Sequence, residues 1–195
     1  MVLSKQDLRA TMLKQREALP ATAMEQAGDA AAQHLISWLE GKEMLTPELR
    51  VALYWPMRGE VPVAPLQRQL QALGCMTLLP EVLPGKQDML FRYWDGTPPL
   101  HRDAFGLPCT DEEALAPQLV ILPLLAFDGQ GHRLGYGAGC YDRALTAMPD
   151  ALAVGLAYSW QQVKLMPREA HDQPLDAVVT DCGVVEFSQH TAPKA

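Results

Sequence analysis

The sequence lacks any run of 18 apolar residues, any C-x-x-C pair and any excess of positive charge, and each absence excludes a class of function. Without a long apolar run there is no candidate membrane-spanning helix. The opening Met1-Val-Leu-Ser-Lys-Gln-Asp7 turns polar at once and has no apolar core of a signal peptide, so a cytoplasmic protein is expected. Four cysteines, Cys75, Cys109, Cys140 and Cys182, lie far apart, which points away from a zinc site or a thioredoxin-like motif and toward reduced thiols. A net charge of −7 and a pI near 5.2 argue against a nucleic-acid binder, whose footprint is a basic face, and favour a small ligand. There is no repeat, no low-complexity segment, no G-x-x-x-x-G-K-[ST] phosphate loop and no G-x-G-x-x-G fingerprint.

What is present is enough for one domain. A chain of 195 residues buries on the order of 70% of its unfolded surface without disulfides or a structural metal, and residues 1–195 are read as a single domain. Ser4-x-x-Asp7 predicts the start of a helix running to about Ala18, and Thr22-x-x-Glu25 predicts a second through about Leu39, giving a helical segment over 1–40. Arg50–Tyr54, Met76–Pro80, Leu119–Pro123, Ala151–Ala157 and Ala177–Thr180 read as core strands, with Met89–Tyr93 as an edge strand. Helices are expected over Ala64–Leu73, Tyr141–Met148 and around Trp160–Leu165. Asp95–Pro117 reads as loop and Gln189–Ala195 as a frayed tail. This order predicts a three-layer, Rossmann-like α/β fold: a largely parallel central sheet with two leading helices.

The most informative stretch is Arg133-Leu-Gly-Tyr-Gly-Ala-Gly-Cys-Tyr-Asp-Arg143. Glycines at alternate positions free the backbone to take positive φ and to bring N–H groups against an anion. The run sits between a buried strand and a helix N-terminus, where open α/β sheets place ligands and where the helix dipole favours negative charge. Arg133 and Arg143 can neutralise phosphate oxygens, and Asp142 is a hard ligand of the kind Mg²⁺ accepts beside a nucleotide. Lys5 and Arg9, four residues apart on one helix face, can reach the same polyphosphate. Spacing alone leaves the ligand open.

The segment from Leu122 to Arg143, with Lys5-Gln-Asp-Leu-Arg9 and Tyr54-Trp-Pro-Met-Arg-Gly-Glu60, resembles the 5-formyltetrahydrofolate cyclo-ligase family. Pro80, Met89-x-Phe91, Trp94, Phe105-Gly-Leu-Pro108 and His171-Asp172 fall in that family's order, so the likeness spans residues 5 to about 186. The resemblance implies ATP- and Mg²⁺-dependent closure of 5-formyltetrahydrofolate, with or without a polyglutamate tail, to 5,10-methenyltetrahydrofolate, with release of ADP and phosphate. Phosphorylation of the formyl oxygen and attack by N10 is the implied route. It implies an ATP site made of Lys5, Arg9, Arg133, Leu134, Gly135, Tyr136, Gly137, Ala138, Gly139, Cys140 and Tyr141. It further implies Arg133, Tyr141 and Arg143 as catalytic, Trp55, Glu60 and Tyr136 on folate, and Asp142 and Asp172 on Mg²⁺. A carboxylate at Glu60 suits the adjacent donors of a pterin edge, and Trp55 offers an aromatic wall. A monomer without nucleic-acid or membrane partners is expected. The competing readings are a catalytically silent folate- or nucleotide-binding relative and a phosphosugar enzyme; the latter leaves Trp55, Glu60 and the Lys5–Arg9 pair unexplained.

The chain departs from the family's pattern at Ala138, where many relatives carry Lys, at Cys140, which replaces a tyrosine, and at Cys109, which replaces a glutamate. Ala138 lies inside the expected phosphate cradle. Ala138→Lys is therefore expected to tighten Mg·ATP binding by about 0.5–2 kcal/mol, with folate affinity unmoved. ATP titrations at low and high salt check this, since the gain of a partly exposed charge shrinks as screening increases.

Overall fold

A computed structural model describes residues 4–85, 88–166 and 172–187; the expected tail from Gln189 and the His171 of the His-Asp pair lie outside them. Helix α1 (Lys5–Glu17) begins where the Ser4 hydroxyl accepts a hydrogen bond from the Asp7 amide at 3.1 Å, the predicted cap. Helix α2 (Ala21–Gly41) begins differently. Pro20, extended at φ −68°, occupies its N-cap without a side-chain bond, so Thr22 and Glu25 lie within the first turns and make no capping box. Along the chain then come β1 (Arg50–Ala52), α3 (Ala64–Ala72), β2 (Met76–Val82), β3 (Met89–Tyr93), β4 (His101–Arg102), β5 (Pro108–Cys109) and β6 (Leu119–Pro123). They are followed by β7 (Ala126–Asp128), β8 (Arg133–Leu134), α4 (Cys140–Ala147), β9 (Leu152–Leu156), β10 (Gln162–Val163), β11 (Ala177–Thr180) and β12 (Gly183–Glu186).

Seven strands form the central sheet in the order β12-β11-β9-β6-β1-β2-β3, parallel from β11 to β2 and antiparallel at both edges. Because alternate strand residues face opposite sides, the apolar runs feed two cores. Val51, Leu119, Ile121, Val154, Leu156, Ala177 and Val179 pack under α2 and α3. Ala52, Val120, Leu122, Ala153 and Val178 pack on the other side with Ala144 and Leu145 of α4. Helix α2 contributes Ala27, Ala31, Leu35 and Leu39, one stripe at four-residue spacing. The result is the expected three-layer α/β arrangement with a largely parallel sheet.

Three local expectations are corrected. The helix expected around Trp160–Leu165 is a single 3-10 turn, Ser159–Gln161, after which β10 runs parallel to β7. The Gln161 amide explains this, because it donates to the carbonyls of Leu124 and Leu125 at 3.0 and 2.9 Å and pulls the chain into strand pairing. The expected loop Asp95–Pro117 contains the β4–β5 ladder, whose turn is closed by Asp103 Oδ1 accepting from the amides of Phe105 and Leu107. The segment at Ala126 and the start of the glycine run form β7 and β8, which join β10 in a second, three-stranded sheet.

That small sheet carries the glycine run, and α1 docks on it through Leu8 and Met12 against Leu125, Ala126, Leu134 and Met166. Lys5 and Arg9 are thereby brought to the same place as the glycines. Among the described residues, no helix is long and apolar enough to cross a membrane.

Gly155, in β9, marks the tightest approach in the core. A Cβ there would meet Leu124 Cδ2 at 2.6 Å, Leu175 Cδ1 at 2.9 Å and Val178 Cγ2 at 3.0 Å. Gly155→Val is expected to cost about 1–3 kcal/mol through overpacking, read as a lower urea midpoint with an unchanged slope.

Candidate active site

The neighbours β1 and β6 form the sheet's switch point: from β1 the chain crosses through α3 to β2, whereas from β6 it crosses through α4 to β9 on the other side. Open α/β sheets have their crevice at such a point, beyond the carboxyl ends of the strands. A cleft of about 430 Å³ lies there, within the range of small-molecule sites. Tyr54, Trp55 and Glu60 reach it from the end of β1, Pro80 and Val82 from β2, and Pro123 from β6.

One wall is the glycine run. Gly137 and Gly139 take φ of +103° and +67°, and Gly139 is the N-cap of α4, so the loop turns directly into a helix N-terminus. Gly135, contrary to expectation, is not in the positive-φ region; its carbonyl accepts from Arg9 Nε at 2.9 Å. Arg9 thus braces the loop through one N–H and, among the described residues, has no carboxylate partner. Its remaining donors line the cleft.

Arg133 has a side chain only 7% exposed, and its Nη2 donates to Asp142 Oδ1 at 2.7 Å while Nη1 donates to the Gln173 carbonyl at 2.5 Å. The Gln173 amide donates to the same Asp142 oxygen at 3.1 Å. Burial pulls the Arg133 pKa down, and the Asp142 charge opposes that shift. Lys5 Nζ lies 3.0 Å from Asp172 Oδ2. Each carboxylate of the cleft's cationic end is therefore paired with a cation, which limits the cost of gathering like charges there.

The other end is built around Glu60, which is 5% exposed. Its Oε2 accepts from the Met57 amide at 3.0 Å, and its Oε1 accepts from the Tyr136 hydroxyl at 3.2 Å. Burial raises the Glu60 carboxyl above its ordinary value, against the lowering effects of the Met57 amide, Arg16 and Tyr136. Trp55 is held edge-on by Trp94, with ring centres 6.1 Å apart at 62°. Phe105, Leu107 and Pro108 of the β4–β5 ladder line the apolar side, and Asp103 fastens the ladder to β2 by accepting from the Val82 amide at 3.3 Å.

The structure brings Lys5, Arg9, Trp55, Glu60, Arg133 to Asp142 and Asp172 to this one cleft. Leu134 is buried and belongs to the core under the loop. Arg143 lines not this cleft but a second hollow shared with Gly137, Ala138, Gly139 and Asp142; its guanidinium donates to the Ala138 carbonyl at 3.0 Å and to Cys140 Sγ at 3.5 Å, bracing the loop from its other side. Burial pushes the Cys140 thiol up, away from a reactive thiolate. Asp142 and Asp172 are the carboxylates of the cleft's cationic end; Asp142 Oδ2 accepts no hydrogen bond among the described residues. Two carboxylates beside a polyphosphate are what Mg²⁺ takes, in place of an all-protein cage, and among the described residues no cluster of three or more ligands exists. Sequence reasoning missed Arg16, Tyr54 and Tyr158. A signal for Arg16 was available, because it stands seven residues, about two turns, beyond Arg9 on the same face.

A doubly wound α/β fold with a cation-lined cleft at its switch point is the class that these features define. The sequence pattern of the 5-formyltetrahydrofolate cyclo-ligase family matches residues 2–181, and the chain belongs to that family of enzymes. It is 33% identical over 181 residues to the 5-formyltetrahydrofolate cyclo-ligase of Haemophilus influenzae, covering 88% of this chain and 94% of that protein. To the Escherichia coli K12 protein of the same name it is 31% identical over 186 residues, covering 90% and 100%. The NMR structure of the Aquifex aeolicus 5,10-methenyltetrahydrofolate synthetase superposes with a TM-score of 0.74 at 30% identity, covering 97% of this chain and 98% of that one. The Mycoplasma pneumoniae 5,10-methenyltetrahydrofolate synthetase shares the fold, with a TM-score of 0.74 at 23% identity over 92% and 99% of the two chains.

Tyrosines crowd this region. Burial pushes the hydroxyls of Tyr54 and Tyr141 well up, and those of Tyr136 and Tyr158 up to about 12. A pKa raised in the folded state contributes stability that is complete below the ordinary value of about 10 and is lost as pH rises through the raised one. Absorbance titration is thus expected to ionise the buried Tyr54 and Tyr141 only as the chain unfolds, with stability falling as pH rises above about 10.

Proposed function

We propose that the chain catalyses the ATP-dependent closure of 5-formyltetrahydrofolate to 5,10-methenyltetrahydrofolate, releasing ADP and phosphate. The observation that carries this reading is the joining, in one cleft, of the glycine-loop cations with the buried carboxylate Glu60 and the aromatic wall Trp55. Family membership supports the same chemistry. As one domain, acting as a monomer in the cytoplasm, the protein would need no further partner.

The N5 formyl group is amide-like, and its oxygen is a poor leaving group. In the proposed reaction that oxygen attacks the γ-phosphorus of ATP and ADP departs. N10 then attacks the activated carbon, the C–O bond breaks with its electron pair going to phosphate, and the N10 proton is lost, leaving the methenyl bridge. The protein's task is alignment and charge neutralisation, since the transferring phosphoryl spreads negative charge over its oxygens. Arg9 and Arg133, with the amides at the N-terminus of α4, are suited to the phosphates. Glu60 would accept two hydrogen bonds from the pterin edge, and Trp55 would pack on a flat ring. Asp142 and Asp172 would hold Mg²⁺, which supplies charge neutralisation on the phosphates when bound. Tyr141, protonated at neutral pH like any tyrosine and held further from ionisation by burial, can donate a hydrogen bond but cannot act as a base.

The test is the growth of methenyl-folate absorbance with purified protein, 5-formyltetrahydrofolate and Mg·ATP. Product that fails to form, or that forms equally without ATP, rejects the reading. Asp142→Asn is expected to keep the fold, because its amide oxygen can still accept from Arg133 and Gln173, but to lose at least about tenfold in turnover because an amide is a poorer Mg²⁺ ligand. Turnover measured beside thermal melting separates the two effects, and full activity would remove Asp142 from the site.

A further inference from the structure

Arg16, which the sequence reading passed over, is 1% exposed beneath the acidic end of the cleft. Its Nε donates to the Arg58 carbonyl at 2.9 Å, its Nη1 to the Leu124 carbonyl at 3.1 Å and its Nη2 to the Tyr136 hydroxyl. That Nη2 also lies 3.6 Å from Glu60 Oε1, and the Tyr136 hydroxyl hands the bond on by donating to the same carboxylate oxygen. The guanidinium sits 5.7 Å from the Tyr136 ring centre. A Cβ on Gly59 would come within 2.8 Å of the Arg16 carbonyl, so α1 and the turn bearing Glu60 are in close backbone approach. One side chain therefore ties together α1, the turn after β1, the end of β6 and the glycine loop.

The groups that face Glu60 electrostatically are Arg16 from α1, Tyr136 from the glycine loop, Tyr54 from the end of β1, Tyr141 from α4 and Tyr158 from the segment after β9. Arg16 is the one cation in this set. Burial works against an ionised Glu60, whereas a carboxylate that accepts two hydrogen bonds from a ligand must be ionised. An always-charged, fork-shaped donor is suited to hold it so.

We propose that Arg16 is the positioning residue of the acidic end: it keeps Glu60 ionised and oriented for the ligand edge and, through the Tyr136 hydroxyl, ties the glycine loop to that carboxylate. This rests on the reading of Glu60 as the folate carboxylate. The two ends of the cleft are then coupled without a shared ligand, because the Tyr136 hydroxyl belongs to the phosphate loop and bonds to the folate carboxylate. Replacing the cation with a neutral group lets burial push the Glu60 carboxyl further up. The protonated, non-binding form then persists to higher pH, so binding is lost first on the acid side.

The experiment measures 5-formyltetrahydrofolate binding to the full chain by calorimetry, without ATP, from about pH 5.5 to 8.5, a window spanning the raised range of buried carboxyls. Arg16→Gln is expected to lose at least about tenfold in affinity at the acid end and only about threefold at the alkaline end, moving the inflection upward. Arg16→Lys, a compact charge without the fork, is expected to keep the wild-type inflection at roughly tenfold lower affinity. Curves for Arg16→Gln parallel to wild type would overturn the proposal, since a merely structural role weakens binding without moving the inflection. If Arg16→Gln does not fold, Arg16→Lys decides alone, and wild-type affinity there overturns it. Glu60→Gln separates the underlying reading: wild-type folate affinity in that variant removes Glu60 from the folate site, whereas a weakened Glu60→Gln beside parallel Arg16 curves rejects only the role of Arg16.

Discussion

Two neighbouring parallel strands, β1 and β6, send the chain to opposite sides, and the crevice this opens is the constraint on which the rest depends. Crossovers between parallel strands are right-handed, so moving outward in opposite directions along a sheet puts the connecting helices on opposite faces. Here α3 packs with the core that includes Val51, Leu119 and Val154, and α4 with the core that includes Ala52, Val120 and Ala153. Neither helix covers the strand ends between them. The backbone leaving β1 carries Tyr54, Trp55 and Glu60 into that gap, while α1 and the small β10-β7-β8 sheet bring up the opposite wall.

Polar groups in the gap are affordable only because each has a partner, near or distant in the chain. Asp142 is paired with Arg133, Asp172 with Lys5, and Glu60 with the Met57 amide, Tyr136 and Arg16. Several of these pairs are largely removed from water, where an unpaired charge is far costlier than an exposed one. The same pairings preset the geometry. A ligand that exchanges with them finds its cations and carboxylates already in place, which reduces the ordering entropy lost on binding.

Helix α1 has a larger part in this than a leading amphipathic helix suggests. Leu8 and Met12 bury it on the small sheet, so that Lys5 and Arg9 line the cleft and Arg16 sits buried against Tyr136 and Glu60 at its other end. Arg9 and Arg143 brace the glycine loop from its two sides, by Gly135 and by Ala138. With Ala138 at the centre of the loop, the cations near it come from α1, from Arg133 before it and from Arg143 after it.

Apolar runs and their punctuation alone determined most of the layer structure: Leu119–Pro123, Ala177–Thr180 and the four-residue stripe of α2 hold their hydrophobic pattern whatever surrounds them. The glycine run was legible as an anion-binding turn from its residue types, whereas Trp55 and Glu60 stood out only through the resemblance to the cyclo-ligase family, because spacing alone left the ligand open. What the sequence could not decide depended on partners distant in the chain. The segment around Trp160–Leu165 reads as helix by itself, yet Gln161 finds Leu124 and Leu125, and after one 3-10 turn the chain becomes a strand beside β7. Short strands such as β4, β5 and β8, two residues each, have no period to read and exist only through the ladder opposite them. Arg143 carries the charge of a phosphate ligand, and only the fold shows it donating to the Ala138 carbonyl while lining, with Gly137, Gly139 and Asp142, a second hollow against the glycine loop. Arg16 is one of several basic residues on α1 until the turn at Arg58–Glu60, the end of β6 and Tyr136 close over it, and only tertiary packing makes it the buried cation of the site.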